Sequence, residues 1–236
     1  MIRVLQALVL IAVVVPCHQA AAQPRAGAAQ LAVGFGVDTS RSPNREILEL
    51  WQNYLRSRAD STRPNPFWSP AEQGQWPIFD LVSPYVYQGF RHYTVVHLAP
   101  AVGLDSTYLI RTLVSAVDDS TQDVRPLALY RVYATREGGR WVLANALPRL
   151  TRGWPRIRMG HVTFAHPPTR RVDRSRLQAT ARFTDSLARA FGVPVPDTIR
   201  YYFSDDLIET FHALGLDFFP TGSDTVGGRA VTPNRL

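Results

Sequence analysis

The sequence predicts an α+β protein: helices packed on a curved antiparallel sheet, a cone, followed by a small, incomplete β-α-β-α unit. Three observations carry this. Apolar residues recur at three- and four-residue spacing just after position 42. Four β-rich runs then follow one another across short turn signals between Tyr87 and Leu147. Beyond Met159 the texture changes to strand and helix in alternation. The first two patterns belong to helices segregated from an antiparallel sheet, and the third to an α/β layer.

The elements are justified in order. Residues 1–22, MIRVLQALVLIAVVVPCHQAAA, place Arg3 before an apolar run from Val4 to Val15 and end in Ala20-Ala21-Ala22. This is the layout of a secretory signal peptide, expected to be cleaved before Gln23; the run of about 12 residues is short of the roughly 20 that span a bilayer. The expected destination is secreted or periplasmic. The alternative, a lipoprotein attached through Cys17, is weakened by the preceding Pro16. Cys17 is the one cysteine, so a mature chain starting at Gln23 has no disulfide and no thiolate ligand or nucleophile.

Residues 23–41, rich in Ala, Gly and Gln, read as a flexible leader. Ser42 and Pro43 open a helix, with Ile47, Leu50, Trp51, Tyr54 and Leu55 on one stripe to about Arg58. Ser69-Pro70-Ala71-Glu72 has the capping-box pattern of a short second helix. Strands are expected at 87–98, 107–117, 125–136 and 140–147, joined by turns and therefore antiparallel. In the second run Tyr108, Ile110, Thr112, Val114 and Ala116 share a face; in the fourth Trp141, Leu143, Asn145 and Leu147 do. A strand at 159–165 follows, then a helix from the cap Asp173 with Leu177, Ala181, Leu187, Ala188 and Phe191 on its stripe. A strand at 198–203 and a helix from Ser204 to Gly215 complete the pattern. The domain division is thus 1–22, 23–41, 42–150 (cone), 151–172 (basic linker with a short strand) and 173–236.

All 26 basic residues are arginine, as GC-rich coding favours, so arginine abundance is no argument for nucleic acid, and none is expected as a partner. The charge is local. Residues 149–176 hold eight arginines against the single acid Asp173. An exported chain with such a segment meets anionic envelope polymers or lipid headgroups, set against the plain reading of a solvated linker.

Within a cone, Trp51, Tyr54, Trp76, Phe79, Tyr87 and Phe90, with Trp68 and Tyr85, are candidates to line a pocket for a small apolar ligand. Asp80 or His92 would then be the general base of an isomerase-type site. The competing reading is that these aromatics fill the core. His92/His97 and His161/His166 are each five apart, which on a regular strand points the two rings to opposite faces and makes no zinc pair. No metal and no cofactor is expected.

Two resemblances add to this. The Trp51- and Tyr54-bearing first helix and the closing stretch YRVYATREGGRWVLANALPRLT resemble the nuclear transport factor 2-like, or SnoaL-like, cone over about 42–150. GHVTFAHPP, ARFTDSLARAFGVPVPDTIRYYFSDDLIETFHALGLD and VGGRAVTPNRL look like the opening of a peptidase-MA-like (zincin) metallopeptidase domain over about 160–236. In that family a helix bearing H-E-x-x-H follows, and this sequence has no H-E-x-x-H. The resemblance therefore implies an exported bacterial protein that is a non-catalytic fragment or degenerate relative of a secreted metallopeptidase. A cone-type binding protein or isomerase and an envelope-binding module are the alternatives.

Overall fold

A computed structural model describes residues 30–57, 63–73, 91–117, 120–195 and 198–218. The protein is α+β, built on one six-stranded and one three-stranded sheet, both mixed. The larger sheet runs β1 (Gln30–Val33), β2 (Arg91–Pro100), β3 (Thr107–Val117), β4 (Val124–Glu137) and β5 (Arg140–Ala144) in spatial as well as chain order. β2 to β5 pair antiparallel, joined by turns in which Gly103, Gly138 and Gly139 take positive φ. β1 pairs with β2 in parallel, so the expected leader carries a strand.

Helix α1 (Asn44–Arg56) begins at Pro43 rather than Ser42, whose hydroxyl bonds the Glu46 carboxylate instead of capping the helix. Its stripe of Ile47, Leu48, Trp51 and Tyr54 is buried against Val95, Ile110, Val114, Tyr130, Val132 and Leu143 from the sheet. Trp51 is fully buried, and its indole N–H donates to Thr112 Oγ1 at 3.0 Å, so one contact fixes helix to sheet with no polar atom stranded.

Ser69–Gln73 forms a turn rather than the start of a capping-box helix. Ser69 Oγ donates to Glu137, and the Glu72 carboxylate accepts the Asn145 N–H at 2.8 Å. Local sequence offered each side chain a partner three residues away, but Glu137 of β4 and Asn145 just after β5 offered partners in place. Ser69 N–H and Leu143 C=O, and Leu143 N–H and Phe67 C=O, are both bonded at 2.7 Å, so this turn docks as an extra rung on β5.

After β5, α2 (Ala146–Leu150) is capped by Asn145. The stretch expected to be a basic linker with one strand instead carries a hairpin, β6 (Arg156–Met159) and β7 (Val162–Ala165), turning at Gly160 with φ +58°. α3 (Arg174–Ala190), capped by Asp173, leads to β8 (Ile199–Tyr202), which pairs with β7 in parallel. Ile157, Val162, Phe164 and Ile199 pack beneath Leu177 and Ala181 of α3.

The chain then returns to the first sheet. α4 (Leu207–Ala213) is capped by Asp206, not Ser204, and ends at Gly215. β9 (Leu216–Phe218) pairs with Leu129 and Tyr130 of β4, on the edge that β5 occupies farther along. At 14 residues β4 is long enough for both partners. Arg111 and Arg131 face each other across β3 and β4, a repulsive placement, and Asp217 pairs with both.

Candidate functional site

The candidates read from the sequence do not converge. Asp80, Trp76, Phe79, Tyr85, Tyr87 and Phe90 lie outside the described residues. Trp51, Tyr54 and Trp68 are buried in the main core. Trp51 stacks on Tyr54 at 5.5 Å and on Tyr130 at 6.1 Å, and Trp68 meets Tyr54 edge-on at 5.6 Å. Each ring is another ring's wall.

His92 is exposed on β2. A register shift between Val95 and His97 changes the expected geometry of the pair: with Tyr93, Val95 and Leu98 turned inward, His92 and His97 both face outward. Simple alternation fails because the bulge adds a residue. His161 lies in the β6–β7 turn and is exposed. His166 is buried, its Nδ1 bonded to the Pro167 carbonyl at 2.8 Å. Among the described residues no three His, Cys, Asp or Glu side chains gather as a metal group would need.

A different site is built by the small sheet. The segments R-I-R-M, V-T-F-A and I-R-Y-Y alternate, so one face of β6–β7–β8 is apolar and covered by α3. The other face is a grid in register. Arg158, Thr163 and Arg200 lie side by side across the three strands, and Arg156, Ala165 and Tyr202 form the next row. Adjacent strands are roughly 4.8 Å apart, which sets the Cα atoms of Arg158 and Arg200 about 10 Å from each other. A cleft of about 330 Å³ opens over this face, lined by Pro148 of α2 with Arg156, Thr163, Ala165, Arg200 and Tyr202. The small side chain of Ala165 leaves room above its row, and Tyr202 is braced by Trp154 at 6.5 Å between ring centres.

The cleft's lining contains no carboxylate, and among the described residues Arg156 and Arg200 form no ion pair. Other arginines of the basic segment are already engaged. Arg149 lies over the Tyr133 ring, Arg170 over Phe203 while pairing with Asp205, and Arg176 pairs with Asp173 at 3.8 Å. Within the segment Arg149, Arg170 and Arg176 are thus engaged by neighbours, while Arg156 lines the cleft with Arg200 of β8. Arg156 and Arg200 stand two strands and two residues apart, and two cations roughly 12 Å apart in water repel by only about 0.3 kcal/mol, so the pair stands without a counter-ion and still attracts one.

Elsewhere, Glu72 is a carboxyl shifted upward by its surroundings. Burial pushes it above the usual glutamate range, and the charge of Glu137 adds to this, while the Asn145 N–H and Arg149 act in the other direction. Glu72 reaches back to cap the chain ahead of α2, a structural task.

Sequence reasoning located the arginine cluster but missed Thr163, Arg200 and Tyr202. Gly160 between R-I-R-M and V-T-F-A was the available signal: a glycine between two alternating runs marks a hairpin. Arg200 was hidden by sequence distance, since only the crossover through α3 brings β8 beside β7. Set against family models, curated proteins and solved structures, the chain matches none.

Proposed function

We propose that the protein is an exported, non-catalytic binding module whose β6–β7–β8 cleft takes the anionic groups of an envelope polymer. The observation that carries this is the register of the small sheet: Arg156 and Arg200, in no ion pair among the described residues, line one cleft with Thr163 and Tyr202, and no acid is among its described lining residues. Export is supported by the signal-peptide pattern of residues 1–22. The cone reading of the first sheet is supported by α1 lying against antiparallel strands, and the kinship of the second part to the front of a zincin by its β7–α3–β8 crossover.

Magnitudes favour a polymer over a free ion. Each arginine–anion contact at about 4 Å is worth roughly 1 to 4 kcal/mol before the ordering of two long, exposed side chains is subtracted. A lone anion is then held at about millimolar strength, roughly 4 kcal/mol. Anions repeated along a chain rebind at high effective concentration, and avidity rises without new contacts.

Titration with polyphosphate and with polygalacturonate, against inorganic phosphate, galacturonate and neutral dextran, tests this. Polymer binding is expected to be about 100-fold tighter than monomer binding, to weaken with salt, and to drop at least about tenfold in Arg156→Ala/Arg200→Ala while the melting temperature stays unchanged. Equal binding by that variant overturns the assignment.

A further inference from the structure

We infer that α3 is a docking surface for an anionic lipid bilayer, through the face it turns away from the small sheet. The helix has two apolar faces and the fold uses one. Leu177 and Ala181 are buried, whereas Phe183, Leu187 and Phe191 are 62%, 41% and 77% exposed. These three follow at i, i+4 and i+8, so they form one stripe, and Val193, just past the helix end, is 44% exposed as well. Ala179 and Ala190 are exposed beside it and put no bulk in its way.

The polar groups of this helix also suit an apolar boundary. The hydroxyls of Thr180, Thr184 and Ser186 are turned back onto the carbonyls of Arg176, Thr180 and Arg182, at 3.0, 3.0 and 2.8 Å, so each enters a low-dielectric region with its hydrogen bond already made. Asp185 is the one acid in the helix and is half-buried on the side of Leu177 and Ala181, away from the stripe. Arg182 and Arg189 lie exposed on the other flank of the outer face, about 100° or more around the axis from Phe183, with the small side chains of Ala179, Ser186 and Ala190 between. Their long stems let the guanidinium groups reach the headgroup level while the phenyl rings enter the boundary.

Charge complementarity selects the occupant. Over Arg174–Ala190 the helix carries four arginines against Asp185. A second copy of the same helix would bring like charge to like. An anionic bilayer supplies both the apolar depth for Phe183, Leu187 and Phe191 and the negative potential for the arginines, each worth about 1 kcal/mol near such a surface.

The test reads this face directly. A bimane label is placed at Leu187→Cys in a Cys17→Ser background of the full chain. It is mixed with phosphatidylcholine vesicles with or without phosphatidylglycerol, each containing doxyl-labelled lipid. Quenching is expected with the anionic vesicles, much less with neutral ones, and is lost when Phe183→Ser and Phe191→Ser are added. These positions are exposed, so an unchanged circular dichroism spectrum certifies the fold. Protein that sediments with anionic vesicles while the label stays unquenched, as binding through Val4–Val15 alone would give, overturns the inference. So does a concentration-dependent dimer that Phe183→Ser/Phe191→Ser abolishes, which would assign the stripe to a second copy.

Discussion

The two sheets spend their apolar residues differently. The larger one closes over a core in which Ile47, Trp51, Trp68, Val95, Ile110, Val132 and Leu143 are fully buried. The smaller one gathers four buried residues, Val162, Phe164, Leu177 and Ala181, and leaves the large side chains of Phe183, Leu187 and Phe191 outside. Buried apolar residues are therefore concentrated in the first region, and exposed arginines and aromatic rings in the second. An arginine grid on one face of a sheet and an apolar stripe on a helix both reduce what a small unit can bury for itself. They are tolerated because the chain returns through α4 and β9 to the larger sheet.

The largest effect should come from the first region. Trp51→Ala removes a fully buried ring and leaves the Thr112 hydroxyl without its donor, and should cost about 4–5 kcal/mol in denaturant unfolding. A loss below about 1 kcal/mol would show that the core does not rest on that helix.

Next is the link between the regions. Gly215 has φ +88°, and a Cβ there would stand 2.7 Å from the Arg131 carbonyl oxygen and 2.9 Å from the Ala146 Cβ. Gly215→Ala should cost about 3 kcal/mol and detach β9. Calorimetry is expected to split one transition into two, the small sheet melting first. A single unsplit transition at the wild-type temperature would mean the small unit stands alone.

The smallest effect is a pH dependence confined to the first region. Glu72 is raised above its ordinary value of 4.5 in the fold, so its contribution to stability is fully present below the unfolded value and is lost as pH rises through the folded one. Glu72→Gln keeps an oxygen to accept the Asn145 N–H and should remove that slope. The two proteins are expected to melt together below about pH 4, with the Gln variant the more stable at pH 7. Parallel melting curves across that range would assign the perturbed carboxyl elsewhere.

Legibility followed the same division. The amphipathic stripe of α1 and the antiparallel order of β2 to β5 could be read from spacing, because neighbours in sequence there are neighbours in space. What escaped depended on distant partners. Ser69 and Glu72 matched a local capping box, but Glu137 and the Asn145 N–H took their side chains. The outward turn of both His92 and His97 came from a bulge that alternation does not foresee. Of the stripe drawn through Leu177, Ala181, Leu187, Ala188 and Phe191, the first two are buried and Ala188 half-buried, while Leu187 and Phe191 are exposed, since a three-stranded sheet is too narrow to cover a 17-residue helix. The cleft was half visible: the arginines were plain in the sequence, but their common face needed the β8 crossover.

The position of β9 bears on the order of folding. Arg131 and Asp217, 86 positions apart, meet at the edge of β4, and closing a loop of that length costs about 4 kcal/mol of chain entropy. On a chain emerging from its N-terminus, β2 to β5 can pair early through local turns, while the upper edge of β4 stays open until Gly215 and Asp217 arrive. Until then Arg111 and Arg131 face each other without their counter-charge. A chain emerging from its N-terminus is thereby kept from completing its sheet until nearly all of these elements are present, and pulse-labelled hydrogen exchange should find the Arg131 amide, bonded to Gly215 in the finished fold, protected after the β3–β4 ladder.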